Sequence, residues 1–261
     1  MTDLVTFLDA AHAAVSADPE NEALRLRFFE RLADGEMVIL LDREARGDSL
    51  QPKVFDLEDG PVVLVFDRED RLAAFTGGIA PYAALPGRVI AGLLKGQGIG
   101  LGVNLGVAPS SMLLPPEALD WLAGTLEEGP EAVAALPERF LAPSVPEAVI
   151  AALDAKLARA GGLAPAALLA GVVYRGGRRG HMLAFLDAPE GAEAALARAM
   201  GEALVFSGVE AGELDVAFLR STDPVATAMA RTGLRFDLPV PEVPSAPAAP
   251  GLDPSRPPKL R

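Results

Sequence analysis

The 261-residue chain has no cysteine and two histidines. The first absence removes disulfides, thiolate nucleophiles and every cysteine metal site. The histidines, His12 and His181, stand far apart and neither sits in a zinc-binding motif such as H-E-x-x-H. A G-x-S-x-G elbow is also missing, so a serine hydrolase has no anchor. The phosphate loop G-x-x-x-x-G-K-[ST] and the dinucleotide fingerprint G-x-G-x-x-G are absent as well. The expectation is therefore no catalytic residue, no cofactor and no metal. No run of 18 apolar residues is free of charge or of Gly/Pro breaks, and the start M-T-D-L-V-T-F-L-D-A carries no basic segment. A cytoplasmic chain that engages no membrane is expected.

What is present is a globular composition, half of it apolar, with a formal net charge of −13. Residues 1–142 carry 11 basic and 23 acidic side chains, a net −12, whereas residues 143–238 carry 9 and 11. Nucleic acid is bound through clustered Lys and Arg, so the first half argues against it as a partner. The length suggests two domains. Composition shifts divide the chain into 1–128, a connection over 129–145, a second domain over 146–238 and a tail over 239–261. Eight of the last 24 residues are proline, which predicts a tail that is disordered or polyproline-like.

Apolar spacing predicts helices over 3–16 and from D-P-E-N, where Asp18 or Asn21 can cap, to the D-G stop at 34–35. Strands follow at M-V-I-L-L (37–41), K-V-F-D-L (53–57), V-V-L-V-F (62–66) and R-L-A-A-F (71–75), the last three read as an antiparallel meander. Residues 82–95 read as a helix broken early by Pro86, and P-P-E-A-L-D-W-L opens another. In the second half the order is helix (146–160), hairpin (167–174 and 181–186), helix (189–204), strand (214–219), helix (223–232) and a short strand at L-R-F-D. The fold class expected is α+β: two mixed α/β domains, the second a β-β-α-β-α-like small sheet with helices on one face.

One stretch looks like a chemical motif: K-G-Q-G-I-G-L-G-V-N-L-G, from Lys95 to Gly106. Its period is two, so Gly98, Gly100 and Gly102 would share one bare face of a strand while Ile99, Leu101 and Val103 share an apolar one. Glycine inside a strand marks close approach of something to the backbone, either the protein itself or a ligand. Gly98, Gly100, Gly102, Asn104 and the nearby Tyr82 make a candidate partner or ligand surface. A second candidate is Y-R-G-G-R-R-G-H, where Arg175, Arg178, Arg179 and His181 could hold a phosphate or carboxylate, or simply be a solvated hairpin tip. Glu58, Asp59, Asp67, Glu69 and Asp70 could gather at one sheet end, though without calcium-loop spacing.

The order of segments resembles the SseB family, the enhanced serine sensitivity proteins, over roughly residues 20–238. The resemblance is carried by L-R-F-F-E-R-L before V-I-L-L, by V-V-L-V-F and R-L-A-A-F, by Tyr82, and by the glycine strand ending V-N-L-G. L-L-P-P-E-A-L-D-W-L, V-P-E-A-V, L-D-V-A-F-L and G-L-R-F-D-L-P extend it. Where the family often has N-P-G this chain has Asn104-Leu105-Gly106, and its end at Arg235-Phe236-Asp237 is less aromatic. The resemblance implies SseB-like N- and C-terminal domains, a link to serine tolerance and no established catalytic residues. The expected function is thus a non-enzymatic regulatory or protein-binding protein with a protein or peptide partner. A small-anion or amino-acid sensor and an immunity-type module that neutralises a basic partner are the alternatives.

Overall fold

A computed structural model describes residues 5–45, 47, 49–127, 129, 136–208 and 214–240; the tail expected from residue 239 lies outside them beyond Val240. Helices α1 (Phe7–Ala17) and α2 (Glu22–Asp34) come first. Thr6 accepts the Asp9 N–H while the Asp9 carboxylate accepts the Thr6 N–H, a reciprocal cap that fixes where α1 begins. Asn21 caps α2 by accepting the Leu24 N–H.

Strand β1 (Glu36–Leu40) precedes the antiparallel hairpin of β2 (Val54–Leu57) and β3 (Gly60–Phe66). The expected third strand of the meander is instead helix α3 (Glu69–Thr76). In R-L-A-A-F the large apolar residues are three apart, Leu72 and Phe75, and two alanines favour the helix between them. Leu72 packs on the sheet, and the Phe75 ring lies 5.4 Å from that of Phe66. Residues 82–95 divide at Pro86 into strand β4 (Tyr82–Pro86) and helix α4 (Gly87–Leu94). Proline keeps the residue before it extended, and β4 pairs with β1 along its whole length. Strands β5 (Gly100–Val103) and β6 (Met112–Leu114) and helix α5 (Pro116–Glu127) complete the first domain.

The first sheet has the order β4-β1-β3-β5-β6, with β2 also on β3. Among the described residues of this sheet, only β3 and β5 are parallel. Met37, Ile39, Val63, Val65, Leu101 and Val103 face α1, α2, α4 and α5. The opposite face, with Val38, Val62, Leu64 and Phe66, is covered by α3 and by Leu105 and Val107.

The second domain comprises β7 (Pro137–Leu141), α6 (Glu147–Leu157), β8 (Ala166–Tyr174), β9 (Arg179–Leu186), α7 (Glu193–Ser207), β10 (Leu214–Leu219), α8 (Pro224–Ala230) and β11 (Leu234–Asp237). Strand β7 falls within residues 129–145, read above as connection, and pairs with β8. The order is β10-β9-β8-β11, with β9 and β10 parallel. Helices α6 and α7 cover one face, whereas α8 seats Ala226 and Met229 on the other, so the helices are not confined to one face. The protein is an α+β fold of two mixed α/β domains. They meet where Phe206 of α7 enters the first core, its ring 6.4 Å from Trp121, which lies 5.1 Å from Phe29. Among the described residues no helix is long and apolar enough to cross a membrane.

Candidate functional site

The glycine run is shorter as a strand than its period suggests. Gly96 and Gly98 have φ of +70° and +67° and form the turn into β5, so only Gly100 and Gly102 alternate on a strand. Both lie on the face away from α1 and α2, beside Val62 and Leu64 of β3. A Cβ on Gly102 would stand 2.6 Å from Cδ1 of Leu105 and Cδ2 of Leu64. One on Gly100 would stand 2.8 Å from the Leu114 carbonyl oxygen and 3.2 Å from Val62. What lies against these glycines is the protein itself. Tyr82 does not join them, since β1 and β3 separate its strand from β5. Its hydroxyl meets the Glu69 carboxylate, whose hydrogen bond and charge push the phenol pKa up.

Just past Gly100 the cover ends. A cleft of ≈ 250 Å³ there is lined by Leu57, Val62, Gly100, Leu113, Pro115 and Pro116, among others. Leu57 and Leu113 are 43% and 41% exposed; Asp59, at the tip of the β2–β3 hairpin, lines the cleft, and the adjoining Glu58 is exposed beside it. The site is apolar with an acidic margin, so it can hold an aliphatic side chain beside a basic one.

Asn104 is fully buried, with φ +48°. It belongs to a polar knot at the carboxyl ends of the parallel strands β3 and β5, where open sheets usually take ligands. Here α1 fills the place. Arg71 bonds Asp9 at 2.5 Å and Asp67 at 2.7 Å; Ser110 donates to Asp9 at 2.6 Å and Thr6 to Asp67 at 2.6 Å. Asn104 accepts the Asp67 N–H at 3.1 Å and donates to Ser110 at 2.8 Å. Burial pushes the Asp9 carboxyl up, but the bonds from Arg71, Ser110 and Thr6 outweigh it and hold its pKa well below the usual carboxylate range. Asp70 turns instead to Arg68, so the acidic set of β2 to α3 does not converge. Among the described residues no group of three or more His, Asp or Glu is placed to hold a metal. Asn104 and Asp67 stood among the sequence candidates, but nothing local joined them to Asp9, Arg71 or Ser110.

The basic turn disperses too. Gly176 and Gly177, with φ of +93° and +85°, form it. The Arg178 guanidinium lies 4.1 Å over the Tyr174 ring and 2.9 Å from the Asp215 carboxylate, to which Tyr174 also donates its hydroxyl. Burial and that carboxylate push the Tyr174 pKa far up. Arg175 and Arg179 are exposed. His181 accepts the Ser144 N–H at 3.2 Å through Nε2, which ties β9 to the segment after β7, and burial lowers its pKa. His12 packs edge-on against Phe28.

A second buried charge cluster, which no local pattern announced, sits between the domains. Lys156 of α6, with its side chain 6% exposed, reaches Asp34 at 2.7 Å, Glu202 at 3.2 Å and Glu30 at 3.5 Å. Arg88 bridges Asp34 (2.5 Å) and Glu202 (2.9 Å), and Arg159 adds to Asp34 at 3.1 Å. Burial raises the Asp34 pKa, and Lys156 and Arg88 more than reverse this. The three cations and three carboxylates pair with one another, so the cluster fastens α2 and α4 to α6 and α7, while the part-exposed Arg88 and Arg159 also line a cleft of ≈ 400 Å³. No family model matches this chain, and comparison with curated proteins and with solved structures yields no match.

Proposed function

We propose that the protein is a cytoplasmic, non-enzymatic binding protein of the SseB type, whose partner is a protein segment that is basic and carries an aliphatic anchor. The observation that carries this reading is the cleft beside Gly100, an apolar recess whose margin is the acidic tip of the β2–β3 hairpin. The −12 balance of residues 1–142 favours a basic partner over a nucleic acid, and such attraction mainly raises the rate and selectivity of encounter. The buried charges support a binding role over catalysis, because each prominent cluster is satisfied by its own neighbours. The resemblance to SseB proteins agrees with a regulatory task and with a link to serine tolerance.

The test uses the full chain and a fluorescein-labelled peptide of one leucine flanked by lysines. Anisotropy should report saturable binding that weakens as NaCl rises, and Leu113→Lys should weaken it about tenfold or more, since a removed apolar anchor costs roughly 1.5–3 kcal/mol. Leu113 is part-exposed, so the fold should persist in circular dichroism. Absence of binding at low salt, or equal binding by folded Leu113→Lys, overturns the reading. In a strain lacking the protein, growth in excess serine restored by the wild type and not by Leu113→Lys would tie the cleft to serine tolerance.

A further inference from the structure

Strand β10 forms one margin of the second sheet, and among the described residues no strand pairs with its outer side. An open strand edge is a template for another chain, and proteins guard such edges with proline, charge, bulges or shortness. The other outer strands are guarded, β2 by its length of four residues and by Asp56. Strand β4 ends on Pro86, and β6 has three residues and runs into Pro115. Strand β7 opens on Pro137 and shifts register before Arg139; β11 has four residues, two of them Arg235 and Asp237. By contrast β10, L-D-V-A-F-L, has no proline and an unbroken register on β9 from Leu214↔His181 to Leu219↔Leu186. Its one charge, Asp215, is drawn to Tyr174 and Arg178.

The backbone decides which residues face outward. The Leu219 carbonyl accepts the Asp187 N–H at 2.8 Å, so it points toward β9. Peptide groups alternate along a strand: Asp215 and Ala217 share the direction of Leu219, while Leu214, Val216 and Phe218 turn their N–H and C=O groups to the open edge. The side chains of these same three residues lie on the face covered by α6 and α7.

We propose that β10 joins two copies of this chain, antiparallel about a two-fold axis at Val216, so that both C-terminal sheets become one. In this register Val216 meets Val216 of the second copy, and Leu214 meets Phe218. Every outward N–H and C=O of Leu214, Val216 and Phe218 then finds its complement, and the cross-strand pairs on that face are all apolar. On the other face Asp215 lies opposite Ala217 of the second copy, so no carboxylates oppose each other. A register centred on Ala217 would set Leu214 against Arg220, beyond the end of β10. One strand thus satisfies itself from both sides, as an isologous contact requires, which favours a second copy over an unrelated strand.

Sedimentation velocity of the full chain over a range of concentrations should show a species of twice the chain mass. Hydrogen exchange should show the amides of Leu214, Val216 and Phe218 slowing as that species accumulates. Val216→Pro replaces an outward N–H, loses no bond to β9, and should give a folded monomer. A chain that stays monomeric overturns the proposal, as does a dimer in which those three amides exchange at the monomer rate, or a folded Val216→Pro dimer. If Val216→Pro does not fold, the exchange measurement on the unaltered chain decides alone.

Discussion

At the scale of the residue, Gly102 and Gly98 stand four positions apart and are glycine for different reasons. Gly102 is small because Leu105 and Leu64 occupy the space a side chain would need, whereas Gly98 has open space around it and a left-handed backbone. Gly102→Val should force those buried leucines aside and cost about 1–3 kcal/mol. Gly98→Ala strains φ alone and should cost about 1 kcal/mol. Urea midpoints at constant slope would check both, and a loss for Gly102→Val smaller than that for Gly98→Ala would contradict the packing account. The period of two was legible in the sequence, but the contact with Leu105 was not. Leu105 folds back over Gly102 only because Asn104 takes a positive φ within the polar knot.

At the scale of the element, Pro86 and Gly87 together convert a helical pattern into a strand followed by a helix. Gly87 donates its N–H to the Gly35 carbonyl at 2.9 Å, and a Cβ there would fall 1.8 Å from the Leu32 carbonyl oxygen of α2. That obstacle is backbone and cannot rotate away. Gly87→Ala should therefore cost about 3 kcal/mol or more, among the largest losses for one methyl group, by pushing α2 off the junction. Thermal unfolding would show it; a shift no larger than that of an exposed helix glycine such as Gly92, which has open space, would contradict the geometry. The wrong assignment at R-L-A-A-F has the same lesson. Five residues fit both periods, and the decision fell to Phe75, which reaches Phe55 and Phe66 only from a helix lying on the sheet.

At the scale of the whole molecule, the cluster around Lys156 makes the joint between the domains sensitive to acid. The folded-state pKa of Asp34 lies below its unfolded value of about 3.9. The unfolded chain therefore binds the proton more readily. The contribution of Asp34 is fully present above that value and is lost as pH falls from it through the lowered folded-state pKa. The urea midpoint should fall as the pH drops below about 4 in the wild type and fall less in Asp34→Asn. The emission of Trp121, the single tryptophan, should follow because its ring packs on Phe206 of α7. Parallel pH profiles of the two proteins would remove Asp34 from the account.

The sequence by itself determined most of the elements and the division into two α+β domains, because apolar spacing, caps and proline act within a few residues. It also determined that no common catalytic motif is present. Tertiary structure decided what covers Gly102, which sheet takes Pro137–Leu141, and that α8 lies across from α6 and α7. It placed Lys156 against Asp34, 122 residues away, and Arg71 against Asp9, 62 away. Charges separated so far meet only when packed helices leave them no water to turn to, and no local pattern encodes that.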